Sequence, residues 1–271
     1  MREWRTFKAV FVRNMKLFTA YKAWIVATVI WPIPLLGLNI YTYSALGTVE
    51  DISEAFKPYG PFAGYIVVGT IVYLLYNRLL WGTGMSIQHE RWMGTIEALF
   101  ITPTNKMTIL LASGVSSLVE ASWWIACIFF LGGAVFGLQP NIASVPAVLV
   151  SIVSTMAALI AVGVFFAGFF VLTRAADTLA SGLQGPIRFF SGVAFPVTSL
   201  PQMLQYVSYL LPVTYGILVM RESILKGANI SAIWLALLPL YIIAAIFMIA
   251  GHLTLKIVER RAKKKGTLYL F

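Results

Sequence analysis

Long apolar runs alternate with short polar segments along the whole chain. Six of these runs come close to the ~20 residues that a helix needs to cross a bilayer. They occupy residues 24–43, 62–81, 107–136, 145–172, 179–195 and 233–255. We therefore predict an all-α integral membrane protein, with six transmembrane helices in a single transmembrane domain over residues 1–271. Pro32 and Pro34 lie inside the first run and predict a kink or a break there.

The N-terminal segment, residues 1–22, is amphipathic rather than uniformly apolar. Its side chains separate at helical spacing, with Trp4, Phe7, Phe11, Met15 and Phe18 on one face and Arg2, Arg5, Arg13 and Lys16 on the other. A basic helix of this kind lies in the interface of an anionic leaflet. We predict an interface helix here, and a solvated basic tail is the alternative.

A second amphipathic segment, residues 87–104, separates the spans of residues 23–86 from those of residues 105–195. From residue 88 it reads QHERWMGTIEALFITPT. On a helical wheel its positions separate, with Trp92, Met93, Ile96, Leu99 and Phe100 on one side and Glu90, Arg91, Gly94 and Glu97 on the other. The pattern predicts one helix at the membrane surface that offers two carboxylates beside a small glycine, until Pro103 ends it. An ordinary loop helix is the alternative.

The distribution of lysine and arginine predicts that both chain ends are cytoplasmic. The N-terminal segment and the tail of residues 256–271 are both strongly basic. Between spans, the expected cytoplasmic charges are Arg91, Lys106, Arg174 and Asp177, and the expected external ones are Glu50, Asp51, Glu54 and Lys57. This alternation is consistent with six spans in the cytoplasmic (inner) membrane.

Residues 196–231 are expected on the outer side, yet they remain apolar. Pro196, Pro201 and Pro212 divide them into short pieces. Broken backbone at membrane depth is tolerated only where protein or a water-filled cavity satisfies its polar groups. We therefore predict short re-entrant helices, at about residues 202–211 and 213–226, before the last span at residues 232–255.

Composition narrows the functional classes. Of the 271 residues, 59% are hydrophobic and 11% charged, against about 25% charged in soluble domains. The net charge of +10 gathers at the chain ends, which suits an anionic membrane surface better than nucleic acid. Cys127 is the only cysteine, so no intrachain disulfide can form. The long basic N-terminus predicts no cleavable signal peptide.

Two stretches resemble the type-2 ABC exporter permeases. The first is Glu90-Arg91, Gly94-Thr95-Ile96-Glu97, Leu99 and Thr102-Pro103, which is similar to the family signature ER-x-x-GT-[LI]-E-x-L-x-x-TP. The second, SGVAFPVTSLPQMLQYVSYLLPVTYGILVMRE, resembles the part of the same family that forms re-entrant helices. The resemblance covers roughly residues 5–255.

The resemblance implies a cytoplasmic coupling helix that docks into a groove on a separate ATPase subunit. The residues that it assigns to coupling are Glu90, Arg91, Gly94, Thr95, Glu97 and Pro103. It also implies two ATPase subunits that hold ATP-Mg, and two permease chains, identical or homologous, that enclose a path for cargo among the membrane lipids. This chain would itself bind no cofactor or metal.

The residues give little support for catalysis. The sequence contains no Walker A motif, no HExxH and no GxSxG, so neither ATP binding by that motif nor these hydrolytic chemistries are expected. The histidines, His89 and His252, are far apart in the sequence and are expected to be structural. The chain is therefore predicted not to be an enzyme.

Charges inside the apolar runs are costly and therefore suggest function. Glu120 falls in the third run and Arg188 in the fifth. We expect them to line a polar pathway or to pair with each other across helices, and an ion pair that serves packing alone is the alternative. Arg78, toward the inner end of the second run, is expected to reach an interface.

The cargo is left open by these observations. Apolar and aromatic spans favour a hydrophobic or amphiphilic small molecule of drug or lipid type, with lipid-linked polysaccharide as the nearest alternative. An ion-coupled carrier and a membrane lipid enzyme are more distant, because only Glu120 suits the first and no cluster of acids and histidines suits the second. Gly182 and Gly185 on the fifth run allow close helix contact, so that run is expected to line the dimer interface.

Overall fold

The computed structural model describes residues 2–46, 56, 58, 61–138, 140–173 and 175–265. At some of these positions, Glu97 among them, it describes the backbone alone. The helices in these ranges are α1 Arg2–Ala20, α2 Lys22–Ile30, α3 Pro32–Leu46, α4 Phe62–Leu79, α5 Ser86–Trp92, α6 Ile96–Ile101, α7 Lys106–Phe136, α8 Val145–Val171, α9 Ala176–Phe190, α10 Gln202–Tyr209, α11 Pro212–Ile224 and α12 Ile230–Lys265. Every regular element described is helical, which confirms the predicted all-α class.

Four helices in the described ranges are long and apolar enough to cross a membrane. They are Phe62–Gly84, Lys106–Phe136, Val145–Val171 and Ile230–Arg260. The pair α10 and α11 passes the same test together but is bent by 87°, as a broken span or a re-entrant loop would be. The chain is thus a multi-pass membrane protein with four or five spans by length and composition, and the predicted count of six is not confirmed.

Two predicted spans fall short of a continuous membrane-crossing helix. In the first run the helix is interrupted at Trp31, between α2 and α3, where Pro32 begins the next helix and has no N–H to donate to the preceding turn. In the fifth run, α9 is only 15 residues long and carries Pro186 inside it. The predicted break in the first run is therefore present.

Helix α4 forms the centre of the fold. In its most apolar part 83% of the residues are buried, against 17% in α12, so α4 is enclosed by protein while α12 is peripheral. It packs against α7, α8 and α11. A π-helical turn, Leu80–Gly84, continues it to within two residues of α5. A Cβ on Gly163 of α8 would lie 2.8 Å from Thr83 Cβ, so α8 crosses this turn closely because it has no side chain there.

The amphipathic helix predicted in the N-terminal segment is present as α1, and it packs against α7. None of its side chains is fully buried. Phe7, Phe11 and Phe18 are half-buried, whereas the basic residues of the opposite face are exposed. The first-loop charges Glu50, Asp51, Glu54 and Lys57, the turn residue Arg174 and the side chains of the basic tail beyond Arg260 lie outside the described residues.

Candidate functional site

The segment of residues 87–104 folds as two short helices, α5 and α6, and not as the single helix predicted. Gly94 adopts a positive φ of 70° between them. The N–H of Gly94 donates to Arg91 O at 3.0 Å, and the N–H of Thr95 donates to Glu90 O at 2.9 Å. These two bonds form a Schellman motif, which ends a helix at a glycine. The helical-wheel prediction was wrong because it continued α5 through this residue.

The break redistributes the side chains that the wheel had placed on one apolar face. Ile96 is buried, but Trp92 and Met93 are exposed by 51% and 65% of their surfaces. Ile101, at the end of α6, is exposed by 80%. The turn between α5 and α6 therefore presents an apolar surface outward. We call Trp92, Met93, Gly94 and Ile101 the exposed turn surface.

Glu90 faces inward and does not offer a free carboxylate. It accepts hydrogen bonds from Arg13 of α1 at 2.7 Å and from the Thr95 hydroxyl at 2.6 Å. Burial opposes ionisation of Glu90, but these two bonds and the nearby positive charge of Arg13 outweigh it, and the pKa of Glu90 is lowered. Glu90 thus joins α1 to the exposed turn surface.

Arg91 also has partners within the chain. Its guanidinium donates to Val171 O at 3.2 Å and to Thr173 O at 3.4 Å, at the C-terminal end of α8. A cation is favourable there because the last carbonyls of a helix lack partners of their own. Burial lowers the pKa of Arg91, but an arginine keeps its proton at neutral pH. Arg91 therefore fastens α5 to α8.

Three of the remaining predicted coupling residues, Gly94, Thr95 and Pro103, lie at the surface. Gly94 and Pro103 are exposed, and a Cβ on Gly94 would meet nothing within 4 Å. Thr95 is also exposed, although its hydroxyl bonds Glu90. The side chain of Glu97 lies outside the described residues. The structure thus brings Glu90, Thr95 and Gly94 into one turn.

Lys106 is a positioning residue that the sequence analysis counted only as a loop charge. Its buried ammonium group donates to Leu99 O at 2.5 Å, Thr102 O at 3.0 Å and Thr104 O at 3.2 Å. Carbonyls at the end of α6 are satisfied in this way. A lysine at the first position of a long apolar helix was the available signal.

A cavity of about 970 Å³ borders the exposed turn surface, between α1, the end of α4, α5 and α7, and Trp92 and Met93 are part of its lining. We call it the inner cavity. Its lining includes Arg13, Asn14, Leu17 and Phe18 of α1; Tyr21 between α1 and α2; Arg78 and Trp81 at the end of α4; His89, Glu90 and Trp92 of α5; Met93 and Thr95 in the turn after α5; and Ser113, Ser117 and Glu120 of α7. The spacing of the α7 residues, four and then three, places them on one helix face.

The charged residues predicted inside the membrane have partners other than each other. Glu120 forms an ion pair with Arg78. Arg188 donates to Asn39 Oδ1 at 2.6 Å and lies 5.8 Å from the centre of the Tyr73 ring. The prediction that Glu120 pairs with Arg188 was therefore wrong. Which residues meet across two helices depends on how the helices pack, and the spacing of residues in the sequence does not contain that information. Glu120, with Arg78, lines the inner cavity.

Sequence analysis missed Arg221, a buried arginine on α11. Its guanidinium donates to Tyr65 O at 2.9 Å, Gly192 O at 2.9 Å and Val193 O at 3.0 Å, and its Cζ lies 3.2 Å from the centre of the Tyr65 ring. Within the described residues no carboxylate forms an ion pair with it. We call this arrangement the outer clamp. An arginine within an apolar, proline-broken segment was the signal.

Within the part of the chain that the structure describes, no three His, Cys, Asp or Glu residues form a group that could hold a metal ion. The polar groups of the site instead hold helices together or line the inner cavity. The arrangement presents exposed apolar side chains at the turn and polar groups inside the cavity beside it.

Comparison with known proteins gives one family match and several relatives. The family model described as ABC-2 type transporter matches residues 5–225. The chain is 21% identical over 190 residues to the probable multidrug ABC transporter permease YbhR of Escherichia coli (strain K12), which is 70% of this chain and 51% of that protein. It is 25% identical over 169 residues to the inner membrane transport permease YhhJ of the same organism, covering 61% and 44% respectively. The chain thus matches about half the length of these curated relatives.

Proposed function

The chain belongs to the ABC-2 type transporter family, whose members are membrane subunits of transporters, and we propose that it is the permease of an ATP-driven exporter. Two such chains, identical or homologous, would enclose the path, and two separate ATPase subunits would bind ATP-Mg. This chain would transmit force and recognise cargo, while the ATPases would carry out hydrolysis. The exposed turn surface is the observation that carries the proposal.

Six spans with both ends cytoplasmic remain the topology that we propose. In this arrangement α2 and α3 form one broken span, and α9 is a short fifth span. The bent pair α10 and α11 is then a re-entrant loop on the outer side, and α1 lies in the inner interface. The basic character of both chain ends supports this orientation in the cytoplasmic membrane.

The exposed turn surface is suited to docking because it is apolar and firmly held. Glu90 and Arg91 bind α5 to α1 and to α8, and Lys106 binds the end of α6 to the start of α7. An exposed apolar patch on a rigid support is typical of a protein interface. We infer that a groove on the ATPase receives Trp92, Met93 and Ile101, with Glu97 and Pro103 nearby.

Force applied at this surface has a short route into the membrane. Helix α5 is separated from the π-helical turn at the end of α4 only by Met85. Because α4 is buried almost throughout, it cannot move without its neighbours α7, α8 and α11. We infer that α4 transmits closure of the ATPases to the path.

The exposed face of α9 supports a dimer interface there. Gly182 and Gly185 are exposed, and a Cβ on either would meet nothing within 4 Å. Leu179 and Phe189 on the same helix are exposed by 39% and 47%. Small residues beside apolar ones permit close helix contact in a membrane. We propose that a second permease chain covers this face.

The proposed cargo is a hydrophobic or amphiphilic small molecule of drug or lipid type. The relative YbhR carries the description of a probable multidrug permease, which is consistent with this choice. Lipid-linked polysaccharide remains the second candidate. An ion-coupled carrier has less support, because Glu120, the acid that suited it, is paired with Arg78.

Co-purification with a co-expressed ABC ATPase subunit tests this proposal. We expect Met93→Glu to abolish recovery of the ATPase, because a carboxylate on the exposed turn surface would be desolvated on docking. Met203→Glu is the matched control, since Met203 is also exposed, by 84%, but lies on α10. Loss of the ATPase from both variants, or from neither, would contradict the docking surface.

A further inference from the structure

We propose that the inner cavity is where the exported molecule is loaded, and that it binds an uncharged or zwitterionic amphiphile. The assignment rests on the exporter function proposed above, and it adds a site and a ligand class. The cavity lies within one chain, between α1 and the spans, so each permease chain would load its own ligand.

Size and lining fit a small-molecule site. The volume of about 970 Å³ lies near the upper end of the range of about 300–1,000 Å³ that ligand pockets occupy. Such pockets are mainly apolar, with a few converging polar groups. Here Leu17, Phe18, Trp81 and Met85 supply apolar walls, and Ser113 and Ser117 supply hydroxyls beside the ion pair.

The charges of the cavity are already balanced. Arg13 is bound to Glu90 at 2.7 Å, and Arg78 is bound to Glu120, so both arginines in the lining have an acid in the lining as partner. A ligand with net charge would either remain without a counter-charge in the cavity or displace one of these acids or arginines and leave its partner unpaired. A neutral or zwitterionic polar group can bind beside an intact pair without that cost.

The rim of the cavity favours arrival from a leaflet. Leu17 of α1 and Tyr21, just after α1, are exposed by 51% and 68%, and Trp92 of α5, also in the lining, is exposed by 51%. Aromatic and apolar side chains at a membrane interface attract the hydrocarbon part of an amphiphile. We infer that the apolar part enters between α1 and α5, and that the polar group moves toward Arg78 and Glu120.

Photolabelling in vesicles tests the site without any ATPase. Three probes share one diazirine-bearing alkyl chain and differ in the polar group: a phosphocholine, a sulfate and a trimethylammonium. We expect the phosphocholine probe to label peptides that contain Phe18 and Trp81 most strongly. Equal labelling by all three probes, or labelling elsewhere on the chain, would overturn the proposal.

A variant that fills the cavity separates specific binding from general partition into lipid. Ala23 lines the cavity and is exposed, so Ala23→Phe places a ring there with little disturbance of packing. We expect phosphocholine labelling to fall about tenfold, which corresponds to about 1.4 kcal/mol. Ala9→Phe, at an exposed position of α1 outside the lining, is the control and should label as wild type. Unchanged labelling of Ala23→Phe would overturn the site.

A change of charge tests the ligand class. Glu120→Gln leaves Arg78 without its acid, so the preference is expected to move from the phosphocholine to the sulfate probe. A ligand that does not contact the ion pair would keep the same order of probes, and that result would overturn the assignment of class.

If labelling behaves as expected but no ATPase co-purifies, the exporter function fails while the binding site stands. If the ATPase co-purifies but labelling fails, the binding site fails while the exporter function stands.

Discussion

Two arginines, the half-buried Arg78 and the buried Arg221, hold opposite ends of α4, and they do so in different ways. At the inner end Arg78 pairs with the carboxylate of Glu120, keeps 21% of its side chain exposed, and borders a cavity of about 970 Å³. Near the outer end Arg221 is buried, and carbonyls and a tyrosine ring surround it beside a pocket of only about 200 Å³. At the inner end the polar groups of Arg78 and Glu120 remain accessible from the cavity. At the outer end the guanidinium of Arg221 is occupied by hydrogen bonds to backbone carbonyls.

This difference separates a ligand site from a structural joint. The acceptors in the outer clamp are backbone carbonyls, which cannot rotate away as a side chain can. The clamp therefore holds α11 rigidly against α4 and the end of α9. An acid on a neighbouring helix can change partner when helices move, and its charge can meet a ligand. We therefore assign recognition to the inner end of α4 and rigidity to the outer end.

The largest effect is expected at the outer clamp. Arg221→Met would remove several hydrogen bonds to a charged group, each of which contributes about 1.5–3 kcal/mol. The variant should lose about 3 kcal/mol of stability or more and yield little folded protein, as measured by the thermal midpoint in detergent. Arg221→Lys, which keeps the charge but not the fork of donors, should recover only part of the loss. A wild-type midpoint for Arg221→Met would contradict the clamp.

A smaller effect with a different pattern is expected at the inner pair. Arg78→Met or Glu120→Met alone leaves one buried charge without its partner, which costs about 2 kcal/mol when the site retains some access to water. The double variant should be more stable than either single variant, because no unpaired charge remains. Thermal midpoints of the four proteins form a double-mutant cycle. Strictly additive losses would show that the two residues do not interact.

Gly69 of α4 lies directly against the outer clamp. A Cβ on Gly69 would lie 2.5 Å from Arg221 Nη2 and 2.6 Å from Val193 O, so Gly69→Ala should press on the clamp and cost about 1–3 kcal/mol. Gly133→Ala on α7 is the matched control, since the nearest atom to a Cβ there would be Leu138 O at 3.9 Å, an ordinary contact, and alanine favours the helix by about 1 kcal/mol. Equal midpoints for the two variants would contradict the close approach at Gly69.

The smallest effect concerns the link between α1 and the exposed turn surface. Because the pKa of Glu90 is lowered in the folded protein, its contribution to stability is present above the ordinary carboxyl value and is lost as the pH falls through the folded value. Arg13 is 51% exposed, so the contribution is at most about 1 kcal/mol. The midpoint difference between wild type and Glu90→Gln should disappear in acid. If the difference in thermal midpoint persists in acid, it arises from packing and not from the charge of Glu90.

The long apolar runs were predictable as helices. An apolar segment of this length lies in lipid, and a helix satisfies all its backbone hydrogen bonds within the segment. The third and fourth predicted spans, residues 107–136 and 145–172, agree with α7 and α8 to within one residue at each end. The first and fifth were less predictable, since proline divides one and α9 is short. Their membrane crossing stays a proposal.

The candidate site was predictable in position but not in detail. The segment of residues 87–104 was recognised, yet its division depends on a left-handed Gly94, and a helical wheel cannot represent one. The partners of Glu90 and Glu120 lie on helices distant in sequence, so spacing along one helix gives no information about them. The α7 stripe of Ser113, Ser117 and Glu120 was visible in the sequence as polar residues at helical spacing.

Site-directed cross-linking at the exposed turn surface tests the central claim most directly. Cys127 is the only cysteine, so a Cys127→Ala background allows a single Met93→Cys or Met203→Cys change to carry a benzophenone maleimide. We expect illumination to join the chain with Met93→Cys to the ATPase subunit, and we expect the chain with Met203→Cys to form no such adduct. Adducts at Met203→Cys alone, or at neither position when the ATPase is bound, would contradict the proposal that this turn couples the permease to ATP hydrolysis.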